Sequence, residues 1–152
     1  MQKIVPFLWF NDNAEEAARF YTGIFKNSSI TDISYMGQTE KVMSVEFVLE
    51  GQPFYALNGG PHFSFTPAIS LFVNCETQTE VDELWQKLCA GGEESRCGWL
   101  KDKFGLSWQV IPTRLGQLMR DPDAEKSRRA MNAMMQMKKI DIATIEKAHR
   151  GE

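Results

Sequence analysis

Histidine is nearly absent from this chain, and its few cysteines lack metal-binding spacing. The 152 residues contain 2 histidines, His62 and His149, and 3 cysteines, Cys75, Cys89 and Cys97. No two cysteines form a C-x-x-C pair, and neither histidine stands beside a nucleophile in a recognisable motif. Because transition-metal sites and Ser-His-Asp catalysis need imidazole or thiolate groups in defined patterns, the sequence indicates neither. The cysteines are expected to be reduced thiols in a cytoplasmic protein.

Long apolar runs and an excess of positive charge are missing as well. No stretch reaches the roughly 18 apolar residues of a membrane-spanning helix, and the N-terminus lacks a signal peptide's apolar core. The net charge of −3 does not favour nucleic-acid binding by the whole chain. We therefore expect neither a membrane nor a nucleic acid among the partners. The apolar fraction of 43% is that of an ordinary globular domain.

Two helix starts of the same design occur in the two halves of the chain. Asn13 with Glu16, and Thr77 with Glu80, both fit the capping box, in which a short polar side chain and a glutamate satisfy backbone N–H groups. Apolar residues follow each start at the same helical offsets. They are Ala17, Phe20, Tyr21, Ile24 and Phe25 in the first copy and Val81, Leu84, Trp85, Leu88 and Cys89 in the second. A repeated structural unit is therefore predicted.

Strand patterns surround both predicted helices, Ala14–Phe25 and Gln78–Ala90. The predicted strands are 7–10, 30–36, 42–49 and 54–57 in the first copy and 69–73, 93–96, 97–101 and 106–111 in the second. The order β-α-β-β-β thus occurs twice. We predict an α+β fold in which two such modules form a curved mixed-sheet cleft, where a ligand would sit.

The pattern changes beyond Pro112. Asp121-Pro122 is a typical helix start, and Asp141 can cap a last helix over 142–149. A methionine-rich face on the first of these helices packs either on its own domain or on a partner subunit. We predict a domain over 1–119, with modules of about 1–60 and 61–112, followed by a helical C-terminal extension over 120–152.

Several short motifs narrow the comparison to one family. They are Pro6-Phe7-Leu8-Trp9-Phe10, Ala56-Leu57-Asn58-Gly59-Gly60-Pro61, the stretch 97–105, Ser107-Trp108-Gln109 and Met137-Lys138-Lys139-Ile140-Asp141. Together they resemble the PhnB-like branch of the vicinal-oxygen-chelate superfamily, which includes glyoxalase I, extradiol dioxygenases and bleomycin-resistance proteins. The resemblance covers nearly the whole chain. It implies the glyoxalase/bleomycin-resistance/dioxygenase fold and a homodimer.

The label often given to this branch, 3-demethylubiquinone-9 3-methyltransferase, has no support in the sequence. An adenosyl methyl donor usually binds to a doubly wound sheet beside a glycine-rich turn after the first strand. Here the first strand is followed by Asn11-Asp12-Asn13, which contains no glycine. We therefore do not predict methyl transfer.

Metal-dependent members of the superfamily bind a divalent cation through His and Glu side chains on four strands. The resemblance implies that these positions fall near Val5, near Ala68, at Gln109, and near Ala56 or Asn58. The first two are apolar, and Gln109 offers only a neutral amide where a glutamate would be expected. No metal and no other cofactor is therefore predicted.

Strand alternation gives a set of residues for a ligand pocket. The candidates are Phe7, Trp9, Asn58, His62, Phe72, Trp99, Ser107 and Gln109. Aromatic side chains on inward strand faces also serve in core packing, so this alternative stays open. Asn58 and Gln109 would each need a ligand, a water or a neighbouring residue as hydrogen-bond partner if buried.

The leading hypothesis is a metal-free, homodimeric protein that binds a small apolar or aromatic molecule. The alternative is an enzyme of the superfamily, a lyase, isomerase or dioxygenase, with an atypical metal site. A third hypothesis is an interaction module that uses its helical tail. No catalytic residue is assigned.

Overall fold

The structure is a computed structural model that describes residues 2–152. The chain forms two compact units, one ending at Phe65 and the other spanning Thr66–Glu152. Within residues 2–152, no helix has both the length and the apolar character needed to cross a bilayer. Each unit contains one strand–helix–strands repeat, and the second also contains the C-terminal helices.

The first unit is one mixed sheet with one helix. Its elements are β1 (Phe7–Phe10), α1 (Ala14–Ile24), β2 (Ser29–Tyr35), β3 (Val42–Leu49) and β4 (Gln52–Asn58). The strand order is β1-β4-β3-β2. β1 pairs with β4 in parallel, and the other two pairings are antiparallel.

The second unit repeats this arrangement and adds three helices. Its elements are β5 (Ser70–Cys75), α2 (Gln78–Cys89), β6 (Glu93–Glu94), β7 (Trp99–Lys101), β8 (Ser107–Pro112), α3 (Thr113–Met119), α4 (Ala124–Met134) and α5 (Ile142–Arg150). The strand order β5-β8-β7-β6 again has one parallel pair, β5 with β8. The predicted α+β fold, with two mixed four-stranded sheets, is confirmed for residues 2–152.

Each repeat helix covers one face of its sheet because its apolar stripe lies on that side. In the first unit, Tyr21 of α1 is fully buried, 6.2 Å from the ring of Phe47, which stacks on Phe54 at 5.2 Å. Buried aromatic rings of this kind contribute much of a small core's stability. In the second unit, Trp85 of α2 is buried, and its indole Nε1 donates a hydrogen bond to Glu94 Oε1 at 3.0 Å.

The two predicted caps turn out differently. Thr77 accepts a hydrogen bond from the Glu80 N–H at 3.2 Å, as predicted. Asn13 makes no side-chain cap, and the prediction for this residue was wrong. The N–H of Ala14 instead donates to Asn58 Oδ1 at 2.8 Å, because the end of β4 brings that amide to the start of α1. The cap thus comes from a distant part of the sequence.

The first tail helix begins later than predicted. Asp121 Oδ1 accepts from the Asp123 N–H within a turn, so the chain bends once more before the helix. Asp123 then caps α4 by accepting from the N–H groups of Glu125 and Lys126 at 3.0 and 3.2 Å. Asp141 caps α5, as predicted, by accepting from the N–H of Thr144. The helix α3, which directly follows β8, was not predicted.

The C-terminal extension packs on its own unit, while Met131 and Met135 of its methionine-rich face stay exposed within the single chain. A small core joins Leu115, Leu118, Ala130, Ile140 and Ile145. The extension is also joined by hydrogen bonds to the segment before β7 and to α2. The N–H groups of Cys97 and Gly98 donate to the carbonyls of Met137 and Lys138, and the Gln78 amide bonds to the backbone of Ile140 and Ile142.

Candidate functional site

In each unit the repeat helix covers one face of the sheet and leaves the other face uncovered. On that other face of the second sheet, Ile111 at the end of β8 packs against the small core of the C-terminal extension. In β7 and β8, Leu100 and Trp108 are opposite each other and buried on the α2 side. Since side chains alternate along a strand, the neighbouring residues lie on the other face. We call this other face, on β5, β7 and β8, the second open face. Its central residues are Ser70, Phe72, Trp99, Lys101, Ser107 and Gln109.

The second open face is organised in two rows that run across three strands. In one row, Gln109 is paired with Phe72 on one side and with Trp99 on the other. In the adjacent row, Ser107 is flanked by Ser70 and Lys101. Phe72 is 53% exposed within the chain, and Trp99 is half-buried. An amide between two aromatic side chains therefore adjoins a row of hydrogen-bond donors.

The side-chain amide of Gln109 is held in place by one hydrogen bond, and its capacity to accept another is unused. Its Nε2 donates to Ser70 Oγ at 3.0 Å. No group in residues 2–152 donates to its Oε1. The predicted need for a partner is thus met by a neighbouring residue at one end of the amide. The other end remains able to accept a hydrogen bond from a bound molecule.

Ser107 adds a second polar group to this face. The residue is only 2% exposed, and its hydroxyl has no hydrogen-bond partner within the described part of the chain. Because residues 2–152 contain no fully buried side-chain N or O atom without a partner, the small accessible area of Ser107 includes its hydroxyl oxygen. A molecule on this face could therefore form a hydrogen bond with it.

A buried carboxylate fixes the hairpin that carries these residues. Asp102 is 2% exposed, and its Oδ1 accepts from the N–H groups of Phe104 and Leu106 at 2.8 and 3.1 Å. Its Oδ2 accepts from Trp108 Nε1 at 2.8 Å. Asp102 therefore fixes the turn between β7 and β8. By orienting Trp108 on the helix side, this carboxylate keeps Gln109 on the open side.

The first unit has its own aromatic cluster on the face opposite α1. Trp9 donates from Nε1 to the carbonyl of Gly60 at 2.9 Å and meets Phe63 edge to face at 4.9 Å. Phe7 lies 6.1 Å from the Tyr55 ring. A β-carbon at Gly59 would collide with the Trp9 indole, so glycine is needed there. Phe63 is 66% exposed and was not among the predicted pocket residues.

The eight predicted pocket residues fall into two sets, one in each unit. Phe72, Trp99, Ser107 and Gln109 come together on the second open face. Phe7 and Trp9 lie on the open face of the first sheet, and His62 is exposed beyond β4. Asn58 lies on the helix-covered side with both amide ends bonded, since its Nδ2 also donates to the Val42 carbonyl at 3.0 Å. Lys101 was missed, although its spacing of two residues from Trp99 places it on the same face.

The residues at the implied metal positions do not suit a metal ion. Val5 and Ala68 lie outside the strands, and Ala56 is buried beneath α1. Within residues 2–152, no three His, Cys, Asp or Glu side chains come together in a way that could hold a metal. The donor chemistry of this chain therefore does not fit the cation that the fold family implies.

Two of the thiols are poor nucleophiles and poor metal ligands at neutral pH. Burial raises the pKa of Cys75 to about 12, with smaller contributions from the charges of Glu80 and Glu76. Burial and the charge of Glu94 raise the pKa of Cys89 to about 11. Because the thiolate is the reactive form, Cys75 serves as a buried apolar group and Cys89 as a half-buried one.

His149 forms a structural contact within the C-terminal extension. Its side chain is 15% exposed, and Nε2 lies 2.8 Å from Asp121 Oδ2. The backbone hydrogen bond from Asp123 and the contact with His149 hold the pKa of Asp121 below its usual range. This pair joins the end of α5 to the turn before α4 and includes no residue of the second open face.

Solved structures share this fold. The chain is 39% identical to a putative 3-demethylubiquinone-9 3-methyltransferase, PhnB protein, from Bacillus cereus, over 73% of this chain and 99% of that one, with a TM-score of 0.68. Protein PA1353 from Pseudomonas aeruginosa is 22% identical over 74% and 98% of the two chains, with a TM-score of 0.62. The fosfomycin resistance protein FosX from Listeria monocytogenes is 15% identical over 74% of this chain and 93% of that one, with a TM-score of 0.54. The last two likenesses concern the fold alone.

Sequence comparison gives the family. No curated protein matches the chain. The sequence model of the family described as 3-demethylubiquinone-9 3-methyltransferase matches residues 2–111. With the Bacillus cereus PhnB protein as a structural relative, the chain belongs to this PhnB-like family.

Proposed function

We propose that this protein binds a small apolar or aromatic molecule on the second open face, without a metal. The observation that carries the proposal is the row Phe72–Gln109–Trp99, in which two accessible aromatic side chains flank an amide with an unused acceptor. Small-molecule sites are mostly apolar surfaces with a few placed polar groups, and this row has that composition.

Core packing accounts less well for these side chains. The core of the second unit lies on the opposite side of the sheet, where Leu100, Trp108 and Val110 are buried beneath α2. Phe72 contributes little to that core because more than half of its surface is exposed within the chain. An exposed aromatic side chain beside placed polar groups is typical of a binding surface.

The reaction in the family's description is not part of this proposal. Methyl donors with an adenosyl group usually bind to a doubly wound parallel sheet. Both sheets formed by residues 2–152 are mixed, with one parallel pair each. The segment after β1, Asn11-Asp12-Asn13, also lacks the glycines that would admit a phosphate or sugar group.

The alternative function is an enzyme with an atypical metal site. Metal analysis distinguishes this alternative from metal-free binding. Protein purified without a histidine tag should contain no stoichiometric zinc, nickel, iron or manganese, because the donor set is too poor. A stoichiometric metal that is lost on Gln109→Ala would favour the enzyme instead.

We also propose that the protein is a cytoplasmic homodimer. Three free cysteines suit a reducing compartment. Large apolar side chains are strongly exposed within the single chain, among them Ile4, Phe7 and Phe63 of the first unit. Such a surface is typical of contact with another subunit.

A thermal-shift screen of aromatic compounds tests the binding proposal. Compounds that bind should raise the Tm of the native protein, since a ligand at about 100 times its Kd stabilises by roughly 2.7 kcal/mol. The shift should be lost in Phe72→Ala and in Gln109→Leu, and kept in Phe63→Ala, which also removes an exposed phenyl ring. The absence of any stabilising compound, or shifts that persist in Phe72→Ala and Gln109→Leu, would refute the proposal.

A further inference from the structure

The row next to the aromatic residues contains hydrogen-bond donors from three strands. Ser70 on β5, Ser107 on β8 and Lys101 on β7 are successive cross-strand neighbours. Ser70 Oγ already accepts from Gln109 Nε2, which leaves its O–H free to donate. The Ser107 hydroxyl has no partner within residues 2–152. We call these three residues the donor row.

Lys101 brings a positive charge to this row. The residue is half-buried, and its ammonium forms no ion pair with any carboxylate of residues 2–152. Glu93, its cross-strand neighbour on β6, is exposed and lies on the same face, but the two groups are not within ion-pair distance. Glu93 therefore weakens the electrostatic attraction of Lys101 for an anion without neutralising it. The ammonium remains available to a bound group.

The spacing of the two rows defines the shape of a suitable ligand. Successive residues on the same face of a strand are roughly 6–7 Å apart. A planar ring over Gln109, between Phe72 and Trp99, would thus place a substituent within reach of the donor row. The donors there are two hydroxyls and one ammonium, a combination that favours an anionic group over a neutral one.

We propose that the ligand of the second open face is an aromatic compound with an anionic group, a carboxylate or a phosphate, bound by Ser70, Ser107 and Lys101. This inference rests on the proposed function and deepens it. The aromatic row binds the ring, and the donor row selects the charge. Lys101 acts as the specificity-determining residue.

Calorimetry with three probes tests the inference. The probes are 2-naphthoate, 2-naphthyl phosphate and the neutral 2-naphthamide, which share one ring system. At least one anionic probe should bind about tenfold or more tightly than the amide, as expected for a hydrogen bond to a charged group. The two anions distinguish a carboxylate ligand from a phosphorylated one.

Single substitutions on this face test which residues cause the preference for the anion. Lys101→Met should remove the preference for the anion, because it should weaken binding of the anionic probes about tenfold more than binding of the amide. Glu93→Gln should tighten anion binding roughly two- to fivefold by removing the opposing charge, a gain that misfolding cannot produce. Lys103→Met is the matched control, because that ammonium lies over the Phe104 ring in the turn of the same hairpin.

The outcomes separate this inference from the proposed function. Equal binding of all three probes would overturn the anion preference and leave aromatic binding intact. A preference that survives Lys101→Met would overturn the role of the donor row. Failure of every probe to bind would count against both proposals.

Discussion

At the scale of single residues, the side-chain amides of Asn58 and Gln109 owe their roles to hydrogen-bond partners far away in the sequence. Asn58 bonds to the Ala14 N–H, 44 residues away, and Gln109 to Ser70, 39 residues away. The sequence predicted that both amides would need partners. It could not say which residue would meet the need, because that depends on the pairing of β1 with β4 and of β5 with β8. As a result one amide caps a helix and the other borders an open surface.

Replacing Asn58 by alanine should destabilise the first unit. The change removes the cap on α1 and leaves the Val42 carbonyl without its donor, so we expect a loss of about 1–3 kcal/mol in the free energy of unfolding. Urea denaturation measures it. Asn74→Ala is the control because Asn74 is exposed on β5. An equal effect of both changes would contradict the role assigned to Asn58.

The buried thiol of Cys75 should make stability depend on alkaline pH. Its pKa in the folded protein, about 12, lies above the ordinary value of 9.0, so the folded state keeps a proton that the unfolded state releases. This contribution is fully present below pH 9.0 and is lost as the pH rises toward about 12. Denaturation between pH 8 and pH 11 should therefore show a steeper fall for the native protein than for Cys75→Ala. Parallel curves for the two proteins would rule out this contribution.

At the scale of elements, the repeat helices were predicted closely and the tail less well. The capping pattern and apolar offsets placed α1 and α2 within one or two residues, although Asn13 does not act as the cap. In the tail, the predicted helix start, Asp121-Pro122, stands directly before Asp123, the residue that caps α4. Local hydrogen bonding within the turn decides between them, and such competition cannot be resolved from the order of residues.

The junction between β7 and the tail should be sensitive to a single methyl group. Gly98 has a φ of +84°, and a β-carbon there would lie 2.5 Å from Ile111 Cδ1 and 3.1 Å from Ile140 Cγ1. Gly98→Ala should therefore cost more than the roughly 1–2 kcal/mol of left-handed strain alone. Gly105→Ala is a matched control, since Gly105 has a φ of +90° with nothing within 4 Å. Chemical denaturation giving equal losses for both would contradict the close packing at Gly98.

At the scale of the whole molecule, the repeated β-α-β-β-β order was enough to predict the fold, but not the function. Strand parity brought Phe72, Trp99, Ser107 and Gln109 together correctly because they lie on neighbouring strands of one sheet. The same reasoning failed to show that Asn58 lies under α1, since parity gives two faces without saying which one the helix covers. A fold shared by many reactions does not determine the ligand either.

The proposed homodimer can be tested on the intact chain. If the exposed apolar side chains of the first unit lie in a subunit interface, light scattering should give twice the mass of 17.4 kDa at micromolar concentration. Phe7→Asp together with Phe63→Asp should shift the protein toward the monomer, because a buried unpaired charge is costly. A monomeric native protein under these conditions would contradict the proposal.

The most direct test of the central claim is a titration of isotope-labelled protein with aromatic compounds, followed by NMR in the presence of a metal chelator. We predict saturable shifts of the Trp99 indole N–H, the Gln109 side-chain amide and the backbone of Ser70 and Phe72. The indole N–H of Trp9, which is bonded to the Gly60 carbonyl in the other unit, serves as the internal control. Saturable shifts confined to Trp9 and its neighbours, shifts that vanish with the chelator, or no saturable shift at all would contradict metal-free binding at the second open face.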